Sequence, residues 1–127
     1  MKILILGGYG TFGGRLARLL ADEPGLELLI AGRSLRRARE FCAGLSGRAA
    51  KRALVFDRDG ELGPQLAAAW PHLLVDASGP FQDYGEDPYR VVRACLAQGK
   101  ALSIQALPER LASLAQLYGI TELLAPV

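Results

Sequence analysis

Short apolar runs alternate along this chain with stretches in which apolar residues recur at helical spacing. Lys2–Leu6 is a continuous aliphatic run bounded by glycines, which predicts a strand buried on both faces. Phe12, Leu16, Leu19 and Leu20 then recur at helical spacing until Pro24-Gly25 ends the pattern. Leu26–Ala31 reads as a second strand, broken by Gly32-Arg33-Ser34. Ser34 suits the N-cap of a helix that turns Leu35, Ala38, Phe41, Cys42 and Leu45 inward.

The alternation continues. Ala53–Phe56 predicts a third strand, Glu61–Trp70 a third helix and Leu73–Asp76 a fourth strand. Pro88 can open a fourth helix with Val92, Cys95 and Leu96 on one face, and Gly99 suits its close. Ala101–Ile104 predicts a fifth strand. Pro108 starts a fifth helix carrying Leu111, Leu114 and Leu117 or Tyr118, and Thr121–Ala125 makes a sixth strand. Strands that are apolar throughout, separated by helices, predict a doubly wound α/β fold with a mostly parallel sheet of about six strands and helices on both faces, the Rossmann arrangement. Ligands bind such sheets at the carboxyl ends of the strands.

A length of 127 residues matches one domain of roughly 100–200 residues. Half the residues are hydrophobic and 22% are charged, the balance of a soluble globular protein. The apolar run before Gly7 is far too short for a signal sequence or a membrane span, so a cytoplasmic protein with no membrane partner is expected. Cys42 and Cys95 stand far apart on apolar helix faces, which predicts inert core thiols, with neither a disulfide framework nor a metal site. His72, the sole histidine, adjoins Pro71 at a helix end and reads as a capping or surface residue.

Basic residues are concentrated at Arg33, Arg36, Arg37 and Arg39, with Arg48, Lys51 and Arg52 following. Only Phe41 lies among them, so the interleaved aromatics of a nucleic-acid surface are absent and no nucleic-acid partner is expected.

Gly8-Tyr9-Gly10-Thr11-Phe12-Gly13 follows a predicted strand and opens a predicted helix, the context in which a G-x-G-x-x-G pattern signals dinucleotide binding. Gly8 permits the tight turn, Gly10 lets backbone approach a pyrophosphate, and Gly13 lets helix pack on strand. The pyrophosphate then meets backbone N–H groups at the positive end of a helix dipole. The competing readings are a compact turn without a ligand and an S-adenosylmethionine site on a similar sheet.

Domains that prefer NAD place an acidic residue about 20 residues beyond the last glycine to take the ribose hydroxyls. Arg33 stands there instead. A guanidinium grips a 2′-phosphate and Ser34 adds a hydroxyl donor, so NADP(H) is the expected cofactor and NAD the less favoured one. Arg36 and Arg37 rank second for the same phosphate, against a reading as solvated helix face. Asp57, closing the third strand, is a candidate acceptor for the adenine amino group, against a loop-capping role. The small residues Ala77, Ser78 and Gly79, with Pro80, leave room for the nicotinamide ribose. Asp76 reads as a structural carboxylate. Tyr84 and Tyr118 have no lysine four residues on, so the Tyr-x-x-x-Lys pair of short-chain dehydrogenases is absent.

Gly7-Gly8-Tyr9-Gly10-Thr11-Phe12-Gly13, Ala31-Gly32-Arg33-Ser34, Asp76-Ala77-Ser78-Gly79-Pro80-Phe81 and Val91-Val92-Arg93-Ala94-Cys95, in this order, resemble the N-terminal NADP-binding domain of saccharopine dehydrogenase-like oxidoreductases. The resemblance implies a cofactor domain whose small-molecule substrate is held by a larger C-terminal domain, which also supplies contacts of a homodimer. It implies that 1–127 is the N-terminal part of a longer reductase, inactive alone, with catalytic residues elsewhere. The family's Gly-x-His-Tyr-x-Asp pattern is replaced after Gly99 by Lys100, Ala101, Leu102, Ser103 and Ile104, which weakens any catalytic role for that segment and any case for saccharopine itself as substrate. The alternative is a non-catalytic NADP(H)-sensing regulatory domain.

Overall fold

The computed structural model describes residues 1–78, 90–98 and 101–105. Among them strand and helix alternate as β1 (Lys2–Leu6), α1 (Thr11–Leu20), β2 (Glu27–Gly32), α2 (Leu35–Gly44), β3 (Ala50–Val55), α3 (Leu62–Ala69), β4 (Leu73–Asp76), α4 (Arg90–Ala97) and β5 (Ala101–Gln105). All strands run parallel in the order β3-β2-β1-β4-β5. The chain winds outward from β1 to β3, then crosses back to β4, so strand order reverses between β1 and β4. That reversal opens a crevice at the carboxyl ends of the strands.

Side chains of successive strand residues point to opposite faces, and both faces are covered, which is why the interiors of the central strands β1, β2 and β4 are apolar on both faces. Ile3, Ile5, Leu28, Ile30, Leu73 and Val75 pack with Leu16, Ala17 and Leu20 of α1 and Ala38 of α2. Leu4, Leu6, Leu29, Ala31 and Leu74 pack with Leu62, Leu66 and Ala69 of α3 and Val91 and Cys95 of α4. Burying each Leu or Ile contributes about 1.5–3 kcal/mol, so the central strands anchor both layers.

The described sheet has five strands rather than six. The helix expected from Pro108 and the strand expected over Thr121–Ala125 lie outside the described residues, as do Gly79, Pro80, Pro88 and Gly99. Two expectations about packing are corrected. Leu19 is 54% exposed, because Leu16, Ala17 and Leu20 take the inner face of α1. In α4 Val91 and Cys95 are buried and Leu96 is 66% exposed, while the side chain of Val92 lies outside what is described. The inward face expected of α2 is found: Ala38 and the capping Leu45 are buried in the core, Phe41 and Cys42 pack against it, and Leu35 is half-buried. β3 also begins three residues earlier than the apolar run suggests: it is an edge of the described sheet, where Ala50, Lys51 and Arg52 pair with β2, Ala50 and Arg52 being exposed and Lys51 half-buried. Phe56, just past its end, is buried.

Two contacts close the amino-terminal end of the sheet, opposite the crevice. His72 joins β1 there: the Lys2 N–H donates to its Nδ1 at 2.9 Å and its own N–H donates to the Lys2 carbonyl at 2.9 Å. Arg48 donates to Asp22 through its backbone N–H at 3.3 Å and its guanidinium at 3.1 and 3.2 Å. This bonding holds the Asp22 carboxyl below its ordinary range. Burial pushes the Cys42 thiol above its ordinary range, and Cys95 is buried in the core. Burial of a thiol disfavours the thiolate, the nucleophilic form.

Candidate functional site

The loop between β1 and α1 is a stack of close backbone approaches. Gly7 sits at φ +79°, and a Cβ there would lie 2.7 Å from the Ala77 carbonyl oxygen and the Ser78 Cα, so the loop leans directly on the exit of β4. Gly7 and Gly8 donate to the Ala31 carbonyl at 2.8 and 3.2 Å, and Gly10 donates back to Gly7 at 2.9 Å. Gly13 packs the first turn of α1 on this hairpin. Gly10 is exposed at the rim, and it caps α1 without a side-chain hydrogen bond or an acidic residue in the first turn. The leading N–H groups of a helix have no partner within it, and this loop presents them toward the crevice with the positive end of the dipole. Backbone N–H groups at a helix N-terminus of this kind can hold an anionic group.

Beside it, β2 ends at Gly32 and turns through Arg33 and Ser34 into α2. Ser34 caps α2: its Oγ accepts from the Arg37 N–H at 3.2 Å, leaving the hydroxyl proton to donate to a further acceptor. The Arg33 guanidinium reaches over to Asp59 at 2.9 Å, and both side chains are about three-quarters exposed. An ion pair so exposed is worth about 0–1 kcal/mol, so a phosphate dianion can displace the carboxylate. Tyr9 closes the gap between the two loops. Its hydroxyl accepts from the Ser34 N–H at 3.1 Å, and the Arg37 guanidinium lies 4.9 Å from its ring centroid.

The turn after β3 forms the third wall. Asp57 accepts from the Asp59 N–H at 3.0 Å in an Asx turn, and Gln65 braces its backbone at 2.7 and 2.9 Å. This is the loop-capping role. Behind it Asp76, fully buried at the end of β4, pairs with Arg58 and accepts from the Ser78 hydroxyl at 2.7 Å. Arg90, at the start of α4, donates to the carbonyls of Arg58 and Gly60 at 2.6 Å each. A buried carboxylate needs such partners, which makes Asp76 the structural brace expected of it.

Gly8, Tyr9, Gly10, Thr11, Phe12, Gly13, Arg33, Ser34, Asp57, Ala77 and Ser78 lie in or beside the segments that follow β1, β2, β3 and β4 at the carboxyl end of the sheet, with Phe12 packed against the core, while Gly79 and Pro80 lie outside the described residues. Sequence reasoning missed Arg58 and Asp59. The signal for Arg58 was Asp76 itself, an acid closing an otherwise apolar strand. No cluster of potential metal ligands occurs among the described residues. No helix among them is long and apolar enough to cross a membrane.

Residues 3–114 match the family model of the saccharopine dehydrogenase NADP-binding domain. Among solved structures, the chain is similar to the apo form of a histidine-tagged saccharopine dehydrogenase (L-Glu forming) from Saccharomyces cerevisiae. Identity is 19% and the TM-score 0.60, over 89% of this chain and 23% of that one. It is also similar to a short chain dehydrogenase/reductase family protein, with 20% identity and a TM-score of 0.50, over 92% of this chain and 65% of that one. At these identities the likeness is one of fold. The chain spans less than a quarter of the length of the yeast enzyme it matches. No curated protein sequence matches it.

Proposed function

The chain belongs to the saccharopine dehydrogenase NADP-binding domain family, and from that premise we propose that it is the cofactor half of an NADP(H)-dependent oxidoreductase whose substrate is held by a further domain. The observation that carries this reading is the junction of a glycine cradle with an Arg33-Ser34 turn at the strand-order reversal.

In this reading the Gly8–Gly13 loop, with Tyr9, Thr11 and Phe12, receives the pyrophosphate on backbone N–H groups. Arg33 and Ser34 take the 2′-phosphate. Asp57 borders the adenine, with one carboxylate oxygen engaged in its turn. Ala77 and Ser78, the latter held by Asp76, flank the nicotinamide ribose together with Gly79 and Pro80. The bound cofactor supplies hydride chemistry, and this chain supplies binding and orientation. A cytoplasmic setting and pairing into a homodimer through the further domain complete the proposal.

Thermal unfolding tests the cofactor class. NADPH at about 100 times its Kd should stabilise the chain by about 2.7 kcal/mol, with S-adenosylmethionine giving no shift. Stabilisation by S-adenosylmethionine alone would overturn the reading.

A further inference from the structure

Arg36 and Arg37 are neighbours on the first turn of α2, yet they are held differently. Arg36 pairs with Glu40 at 3.2 Å along the exposed helix face. Arg37 instead turns back toward the glycine loop, its guanidinium carbon 4.9 Å from the centre of the Tyr9 ring. The ring in turn is seated on Gly32, where a Cβ would lie 2.4–2.6 Å from Tyr9 atoms. The Tyr9 hydroxyl takes the Ser34 N–H at 3.1 Å. Tyr9 is therefore fixed on one side by the end of β2 and on the other by Arg37.

We propose that Arg37 is a second guanidinium of the 2′-phosphate clamp and that Tyr9 is the positioning residue that holds it there. The inference rests on the NADP(H) reading of this site. Stacking engages the face of a guanidinium and leaves its in-plane N–H groups to an anion. Arg37 is also joined to Ser34 through its backbone N–H at 3.2 Å, so its side chain departs from the turn that carries Arg33 and Ser34. Arg33 and Arg37 flank that turn, and a phosphate dianion placed on the Ser34 hydroxyl would meet both cations. NAD(H), with a plain 2′-hydroxyl, would gain little from either.

The test is the ratio of NADH to NADPH dissociation constants, measured by titration of the full chain. Arg37→Gln should lower that ratio about tenfold through NADPH alone, the loss expected for one charge-assisted contact. Tyr9→Leu should lower the ratio similarly, while Tyr9→Phe, which keeps the ring under Arg37, should hold most of it. Arg36→Gln should leave it unchanged. A ratio unaltered in Arg37→Gln overturns the inference. If that result accompanies a ratio that collapses in Arg33→Ala, the single-arginine clamp stands and only the second arginine falls. A wild-type chain without preference for NADPH overturns both readings. Arg37 is exposed, so its replacement leaves the fold intact to report.

Discussion

A Cβ on Gly13 would lie 2.1 Å from the carbonyl oxygen of Gly7, whereas a Cβ on Gly10 would lie 3.2 Å from the same atom. The first contact cannot exist without moving backbone, and the second needs a shift of a few tenths of an ångström. Gly13→Ala should therefore destabilise the chain by about 3 kcal/mol, as overpacking does. Gly10→Ala should fold nearly normally and still weaken NADPH and NADH binding together, because its methyl group stands at the rim where the pyrophosphate approaches. Thermal melts paired with titrations separate the two effects.

Asp59 holds Arg33 at 2.9 Å. Asp59→Asn removes both the competition for the guanidinium and the repulsion of a phosphate. NADPH affinity should rise about threefold, close to the worth of one exposed ion pair, with NADH affinity unchanged. Calorimetric titration of both dinucleotides checks this, and the gain should shrink with added salt.

The Arg58–Asp76 pair is enclosed, the side chains being 12% and 0% exposed. Removing one member strands a buried charge. Arg58→Met should cost about 3–5 kcal/mol in urea unfolding, and Arg58→Met combined with Asp76→Leu should recover part of that loss.

Asp22 gives a small pH dependence at the far end of the sheet. Its carboxyl is held down by Arg48, first through the side-chain hydrogen bond, so the folded state favours the ionised form. The resulting stability is present above the ordinary carboxylate value of 3.8 and is lost as pH falls through the lowered folded value. Asp22→Asn should flatten the acid side of the stability curve slightly, and the effect should be small because the pair is fully exposed.

The parts of the site that were legible in the sequence are those written in local chemistry. Gly8 and Gly13 stand where a Cβ would meet backbone, Gly10 sits at the exposed rim between them, and Arg33 and Ser34 follow a strand that an apolar run announces. β3 was only half legible, because an edge strand needs no apolar pattern and Ala50–Arg52 show none. Leu19 and Leu96 were misplaced because helical spacing leaves the face ambiguous by one residue, and only the packing of Leu20 and Cys95 against the sheet decides it. Tyr9 was readable as a loop residue, but its seat on Gly32 joins positions 23 apart in sequence and depends on the parallel pairing of β1 with β2. The Arg58–Asp76 pair likewise exists only once β4 has crossed back beside β1.

The central claim, that Arg33 selects the phosphorylated cofactor, is tested most directly by titrating wild type and Arg33→Ala with NADPH and NADH in parallel at moderate salt. The expected result is an NADPH preference above about tenfold in the wild type, or roughly 1.4 kcal/mol, that falls sharply in the variant while NADH affinity holds. Equal affinities in the wild type, or a preference untouched by the substitution, would contradict it.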